Sequence, residues 1–261
     1  METPFPCVLR RCDLAIYHMH CDVLGRSKGR SAVAAAAYRS CSKIKDLDTN
    51  KTHDFRRKKG LLHEEIFTPL SCPEWAEDRE KLWNEVEKKE NRKNSQFAKS
   101  FDIALYPELS LLENKLILRY WIQQNITSKH LVADVAIHDG HDGNKNIHAH
   151  VLVTTRKMNR QGWAEKAFPK LKDEHEWLEK CRESWAEWSN MRLEKFRKSV
   201  SSETLKAQGI RREPTKHKGP YRTALERKNA HLQTLQNTPK SPEKSPQRAP
   251  KRPSRQESWE W

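Results

Sequence analysis

The stretch from Asp134 to Thr155 constrains this chain most, because it sets three imidazoles at the ends of two strands. Val135 and Ile137, then Val151, Leu152 and Val153, are apolar and mostly β-branched, and the Gly/Asp/Asn-rich residues from Asp139 to Asn146 form a loop, so a hairpin is the simplest reading. Side chains alternate along a strand, so His148 and His150 project from one face and Ala149 from the other. The antiparallel return brings His138, the last residue of the first strand, beside them. Three neutral imidazoles converging on one point make a site for a borderline divalent metal, with positions left for a substrate oxygen. A His-x-His pair alone more often means two histidines with hydrogen bonds of their own; the third histidine turns the pattern into a candidate site. His141, in the loop, reads as solvated.

Lys and Arg number 50 against 35 acidic residues, a formal net charge of +15 with a pI near 9.6. That excess favours a polyanionic partner, nucleic acid first. A hydrophobic fraction of 35% and a mean hydropathy of −0.99 are low for a globule, so part of the 261-residue chain is expected not to fold. The chain lacks a run of about 18 apolar residues. It also lacks an apolar segment followed by a small-residue cleavage site. Both argue against a membrane span or secretory signal and for a cytoplasmic location. The six cysteines form no Cys-x-x-Cys pair and read as reduced thiols. Neither a Walker-type loop nor Gly-x-Gly-x-x-Gly occurs, so nothing suggests nucleotide hydrolysis.

Residues 1–13 show no periodicity and read as a loose N-terminal extension. Leu14 to Val23 alternates as a strand, with Ala15, Tyr17, Met19 and Cys21 on one face and Ile16, His18, His20 and Asp22 on the other. His18 and His20 form a second His-x-His pair that could approach the metal, with a packed or surface-facing pair as the simpler reading. Ser27 and Ser31 are candidate N-caps of an alanine-rich helix, which can lie very close to a sheet. Tyr38, near the end of that helix, reads on residue physics as an anchor in the core.

Lys43 to Gly60 is a polar surface excursion, and His53 and His63 read as solvated. Pro73 to Asn94 is helical, and Phe101 to Tyr106 is a short strand in which Asp102 and Ala104 share a face. An unpaired buried carboxylate is costly, so Asp102 is a candidate partner for the metal or its histidines. Ser110 caps a helix whose stripe Leu111, Leu112, Leu116, Ile117, Tyr120 and Trp121 reads as core. A further helix runs from about Asp173 to Lys198, where Trp177, Cys181, Trp185, Trp188 and Met191 read as packing rather than base stacking. Residues 14–219 make the folded domain, and residues 220–261 a basic, disordered tail. The order of elements gives an α+β fold, an antiparallel sheet flanked by helices.

A three-imidazole site, a tyrosine on a close-packed helix and a basic surface together suggest phosphodiester chemistry, with the hydroxyl attacking phosphorus in line. Ala15-Ile16-Tyr17-His18, the segment Gly29 to Ser40, Phe101-Asp102-Ile103-Ala104-Leu105 and Ile147-His148-Ala149-His150-Val151 carry a resemblance. Together with Leu205 to Ile210, Glu213-Pro214 and His217, they look like the MobA/MobL (MobQ-type) plasmid mobilisation relaxases over residues 14–220. The resemblance implies a His-hydrophobic-His endonuclease fold that nicks one strand at an origin of transfer and stays joined to the 5′ phosphate through tyrosine. It implies Tyr38 as nucleophile, and His138, His148 and His150 as ligands of magnesium or manganese. Asp102, with Glu108 as a second candidate, would orient a ligand or help deprotonate the tyrosine, and Arg30 and Arg39 would contact DNA. Implied partners are single-stranded DNA, accessory relaxosome proteins and a coupling protein. Cys41 departs from the pattern, standing where a glycine commonly follows Tyr-Arg-Ser. A rolling-circle initiator or transposase would use the same kind of site, and a non-catalytic DNA-binding protein is the reading from a different class.

Overall fold

The fold is built on strands whose side chains alternate between two covered faces. The computed structural model describes residues 13–140 and 146–204, and beyond these 206–209, 211, 225, 228 and 229. Residues 1–12, His141, most of residues 205–220 and nearly all of the tail lie outside the described residues. The chain divides into Met1–Thr204 and Leu205–Trp261, and the first unit carries the sheet.

In chain order that unit holds β1 (Asp13–Leu14), β2 (Met19–Gly25), α1 (Ala32–Arg39), β3 (Lys43–Lys45), β4 (Thr52–Asp54), β5 (Leu61–Phe67), α2 (Arg79–Lys89) and β6 (Gln96–Ala104). It continues with α3 (Leu111–Asn125), β7 (Ala133–His138), β8 (His148–Thr154), β9 (Arg156–Asn159), β10 (Gly162–Lys166), α4 (Leu171–Leu193) and β11 (Lys198–Ser199). The main sheet is ordered β2-β6-β8-β7-β5 and is antiparallel throughout. On one face Phe101, Ile103, Val135, Ile137, Ala149, Val151 and Val153 are buried under α3 and α4, against Trp121, Trp177 and Trp185. On the other, Leu24, Ala98 and Leu152 lie under α1 and α2. Farther along the strands this second face turns polar. It presents Ser100, Asp102, His150 and His148, where apolar cover would leave imidazoles and a carboxylate without water or partners.

The helix α1 is short, and its ends are fastened by side chains. Ser31 is the N-cap, its hydroxyl accepting from the Ala34 amide at 3.0 Å. Glu87 of α2 then reaches the same terminus and accepts from the Ser31 hydroxyl and the Ala32 and Val33 amides at 2.8, 2.5 and 3.1 Å. One buried carboxylate thereby satisfies amide donors that a helix start leaves open. Ala32, Val33, Ala36 and Ala37, spaced as one helical face, are buried. Just past the helix, Cys41 has φ 52°, the left-handed region in which a Cβ is strained. The cysteine that stands in for glycine thus occupies a backbone position suited to glycine. Cys41→Gly is expected to raise the thermal midpoint by about 1–3 °C. An unchanged or lower midpoint would show that the turn carries no such strain.

The α+β architecture matches the sequence reading, with several differences of detail. The first strand begins at Met19, not Leu14, because β1 leaves the sheet to pair in parallel with β11. The supposed excursion Lys43–Gly60 contains the hairpin β3/β4, pinned by buried Ile44. His53 and His63 are half-buried, beside Asp46 and Glu65 respectively. The edge strand β5 and the hairpin β9/β10 went unread, since neither shows clean alternation. The helix read over Pro73–Asn94 is a 3-10 turn, Glu74–Glu77, followed by α2. β6 starts five residues earlier than Phe101 and ends at Ala104. On α3 the core is Ile117, Leu118, Trp121 and Ile122, whereas Leu111, Leu112 and Tyr120 are exposed. On α4, Trp177, Cys181 and Trp185 pack as read, while Met191 faces solvent and Trp188 stacks on Tyr120.

Candidate functional site

Register across the sheet assembles the site row by row. His138 of β7 lies opposite His148 of β8. One step along, His20, Asp102, His150 and Ala136 stand side by side on β2, β6, β8 and β7. The hairpin reading is therefore met: His148 and His150 share a face, and Ala149 between them is wholly buried on the other. The three rings have centroids 5.8 Å (His138–His148), 5.4 Å (His138–His150) and 5.0 Å (His148–His150) apart.

Each imidazole spends one nitrogen on a protein acceptor. His138 Nε2 lies 2.8 Å from the Arg39 carbonyl and His148 Nδ1 lies 2.9 Å from the Asn146 carbonyl. His150 Nδ1 lies 2.5 Å from Asp102 Oδ1. A carbonyl or carboxylate oxygen only accepts, so these nitrogens carry the protons. In the neutral rings the lone pairs fall on His138 Nδ1 and His148 Nε2, and on His150 the nitrogen away from Asp102 is Nε2; outer partners orient metal ligands in this way. Burial, followed by the charge of Lys58, pushes His138 down to about 4, and burial likewise lowers His148. Both are thus neutral near pH 7, as a ligand must be.

Rings held by one ion through nitrogen at about 2.1 Å would have centroids roughly 4.5–5.3 Å apart. The His148–His150 pair meets that spacing and His138 stands slightly outside it. As the side chains stand, no three metal-binding groups among the described residues close on one point. Imidazole is a donor type that suits a divalent ion, and His138 stands too far from the other two rings to share one ion with them in the arrangement seen.

Asp102 and Glu108 separate cleanly. Burial pushes the Asp102 carboxyl up, but the hydrogen bond and charge of His150, with Arg39 and His20, outweigh it and leave it below its ordinary value. Glu108 instead pairs with Lys198 of β11. Tyr38 does not anchor the core: the residue is 50% exposed, and it directly precedes the carbonyl that His138 binds. The two arginines also differ. Arg30 is exposed and ion-paired with Asp22 at 2.5 Å. Arg39 is half-buried, donates to Ser100 Oγ at 2.7 Å, and has a second buried nitrogen, Nη1, without a protein partner. Its guanidinium is thereby held at Ser100, the residue one same-face position from Asp102 on β6.

The family model for MobA/MobL proteins matches residues 30–228. The chain belongs to the MobA/MobL family. Among relatives of this MobA/MobL chain, a protein named "Probable conjugal transfer protein TraA" from Sinorhizobium fredii is 37% identical over 163 residues, 59% of this chain and 14% of that one. The "Mobilization protein MobL" of Acidithiobacillus ferridurans is 29% identical over 247 residues, 82% of this chain and 65% of that one. The chain thus spans between about a seventh and two thirds of these relatives' lengths. A solved structure described as "Molecular Basis of Vancomycin Resistance Transfer in Staphylococcus aureus" superposes with a TM-score of 0.64 at 29% identity, covering 73% of this chain and all of that one. The antiparallel α+β fold is therefore shared with it. Among the described residues of the MobA/MobL chain, no helix is long and apolar enough to cross a membrane.

Two neighbours of the site are not evident from their own segments. His20 is exposed, in line with the surface-facing reading, and stands on the same sheet face directly beside Asp102. Register would have revealed this, but pairing of β2 with β6 is not visible in either segment alone. Lys58 lies in the segment read as a polar excursion, and nothing local distinguishes it from Lys59.

Proposed function

We propose that this chain is a relaxase for mobilisation of DNA, nicking one strand at an origin of transfer and holding its 5′ end on Tyr38. The observation that carries the reading is that His138, His148 and His150 lie with ring centroids 5.0–5.8 Å apart beside the C-terminal end of the helix that presents a half-exposed Tyr38. In the reaction the Tyr38 oxygen forms a bond to phosphorus while the P–O3′ bond breaks. The electron pair leaves on O3′, which takes up a proton, and the phenol proton passes to solvent or a nearby base. Joining is the reverse, and because a phosphodiester is exchanged for a phosphodiester it needs no nucleotide.

His138, His148 and His150 would hold a divalent cation, magnesium or manganese, which when bound draws charge from a non-bridging phosphate oxygen. Three imidazoles would also accept zinc, cobalt or nickel. Asp102 fixes the tautomer and direction of His150, which favours the orienting role over direct deprotonation of the tyrosine. The sequence's excess of Lys and Arg, with exposed Arg30 just before α1, would supply the electrostatic attraction for single-stranded DNA.

The test is incubation of the protein with labelled single-stranded oligonucleotides from its own genetic neighbourhood and manganese, resolved on a denaturing gel. A protein-linked band that disappears with chelator, while binding persists, is the expected result. Tight binding without a linked band under any divalent ion would replace the enzyme by a DNA-binding module.

A further inference from the structure

The ring of Tyr38 is held by more than its helix. Lys58 Nζ lies 3.9 Å from the ring centroid, over its face, and donates to the Tyr38 carbonyl at 3.2 Å. Phe55 meets the same ring at 87° with centroids 5.2 Å apart. Both residues come from one turn after β4, closed by the Lys58 amide donating to the Phe55 carbonyl at 2.9 Å and anchored by the Phe55 amide on the Ser42 carbonyl at 3.0 Å. A lysine on an open surface gains little from this pose. Lys58 is half-buried, and burial pushes its ammonium below the ordinary lysine range. Its charge is also felt at His138 and His148, so it faces the candidate metal site and the tyrosine together.

We propose that Lys58 is a positioning residue for Tyr38: its ammonium on the ring face holds the phenol in the attacking pose and offsets the negative charge that gathers on the tyrosine oxygen as the proton leaves. Lys58 transfers no proton and forms no bond. It acts through the ring, by the attraction of a cation for an aromatic face, which grows as the phenol becomes phenolate. The inference rests on the reading of Tyr38 as nucleophile. It goes beyond that reading in assigning the residue that readies the tyrosine. Phe55 completes the slot without charge.

Lys58→Met keeps most of the stem and removes the charge, and Lys58→Arg restores a cation that also stacks on aromatic faces. At saturating oligonucleotide, the Met variant is expected to form the covalent adduct about tenfold more slowly, as for a misheld reactant. Its DNA affinity should change less than about twofold, with the same salt slope. The Arg variant should recover most of the rate. A second readout needs no DNA: acetylation of the Tyr38 oxygen by N-acetylimidazole, followed by mass spectrometry, should be slower in Lys58→Met than in the unsubstituted protein or Lys58→Arg. The two readings fail in different ways. If the unsubstituted protein forms no adduct but the acetylation order holds, the relaxase reading falls and the lysine–tyrosine coupling stands. If adducts form and Lys58→Met matches the unsubstituted protein in both assays, the proposal for Lys58 is overturned. Weakened binding with a salt slope lower by about 0.7, at an unchanged saturated rate, would overturn it too and make Lys58 a phosphate contact. Matching thermal midpoints for the three proteins confirm that the comparison is between folded chains.

Discussion

Tyr38→Phe is expected to abolish the covalent DNA adduct, a loss of at least about a thousandfold, while leaving single-strand affinity within about twofold. The substitution deletes one oxygen and keeps the ring. The contacts that place it, the Lys58 ammonium over its face and on its carbonyl and the Phe55 ring at right angles, do not involve the hydroxyl and survive. The hydroxyl has no protein hydrogen-bond partner among those found for the described residues, and the side chain is half-exposed, so its removal leaves no buried orphan and stability should be unchanged. Tyr17 and Tyr106 are poor substitutes. Tyr17 donates its hydroxyl to the Arg182 carbonyl, and burial pushes Tyr106 up to about 12. A denaturing gel decides the point: adduct formed at the original rate by Tyr38→Phe would move the nucleophile elsewhere, with exposed Tyr120 next to be tried.

Arg79→Met is expected to lower stability by about 3–5 kcal/mol, because it strands a buried carboxylate. Asp134, 5% exposed on β7, receives Arg79 Nε at 3.0 and 2.9 Å and Arg79 Nη2 at 2.9 Å, with the Trp83 indole N–H at 2.8 Å. Removing the guanidinium leaves the indole as its single strong donor. Glu64, which also binds Arg79, is exposed and returns to water at little cost. Thermal or denaturant unfolding measures the effect, and a loss below about 1 kcal/mol would mean that water replaces the arginine. The consequence reaches the site, since α2 bridges its two halves. Its Arg79 and Trp83 grip β7, which ends in His138, and its Glu87 grips the start of α1, which ends in Tyr38 and Arg39. A loosened α2 therefore moves the tyrosine relative to the histidines, and adduct formation should fall in the fraction that remains folded.

The site was legible in the sequence where its residues are local. His138, His148 and His150 sit on two strands joined by a short polar loop, so strand alternation and an antiparallel return were enough to bring them together. Asp102 was legible as a carboxylate within a strand, and Ser31 as a cap before a run of alanines. What stayed hidden is non-local or paired. β5 carries His63, Glu64 and Glu65 in succession, which reads as surface; its two acids bind Arg79 of α2 and Arg119 of α3. Lys99 is buried in β6 because Glu174 of α4 meets it. Polar residues made compatible with a sheet by remote partners leave no hydrophobic period to read.

By itself the sequence determined the α+β class, the hairpin that carries three imidazoles, and the methyl-clad helix that carries the tyrosine. Each follows from periodicity, capping and side-chain size over a few residues. Tertiary structure alone decided that Tyr38 faces outward rather than into the core, that Asp102 rather than Glu108 orients His150, and that Lys58 lies on the tyrosine ring. The physical reason is common to all three. They depend on which strand lies beside which and on where α2 holds α1, and those relations join residues tens of positions apart through contacts that no local pattern encodes.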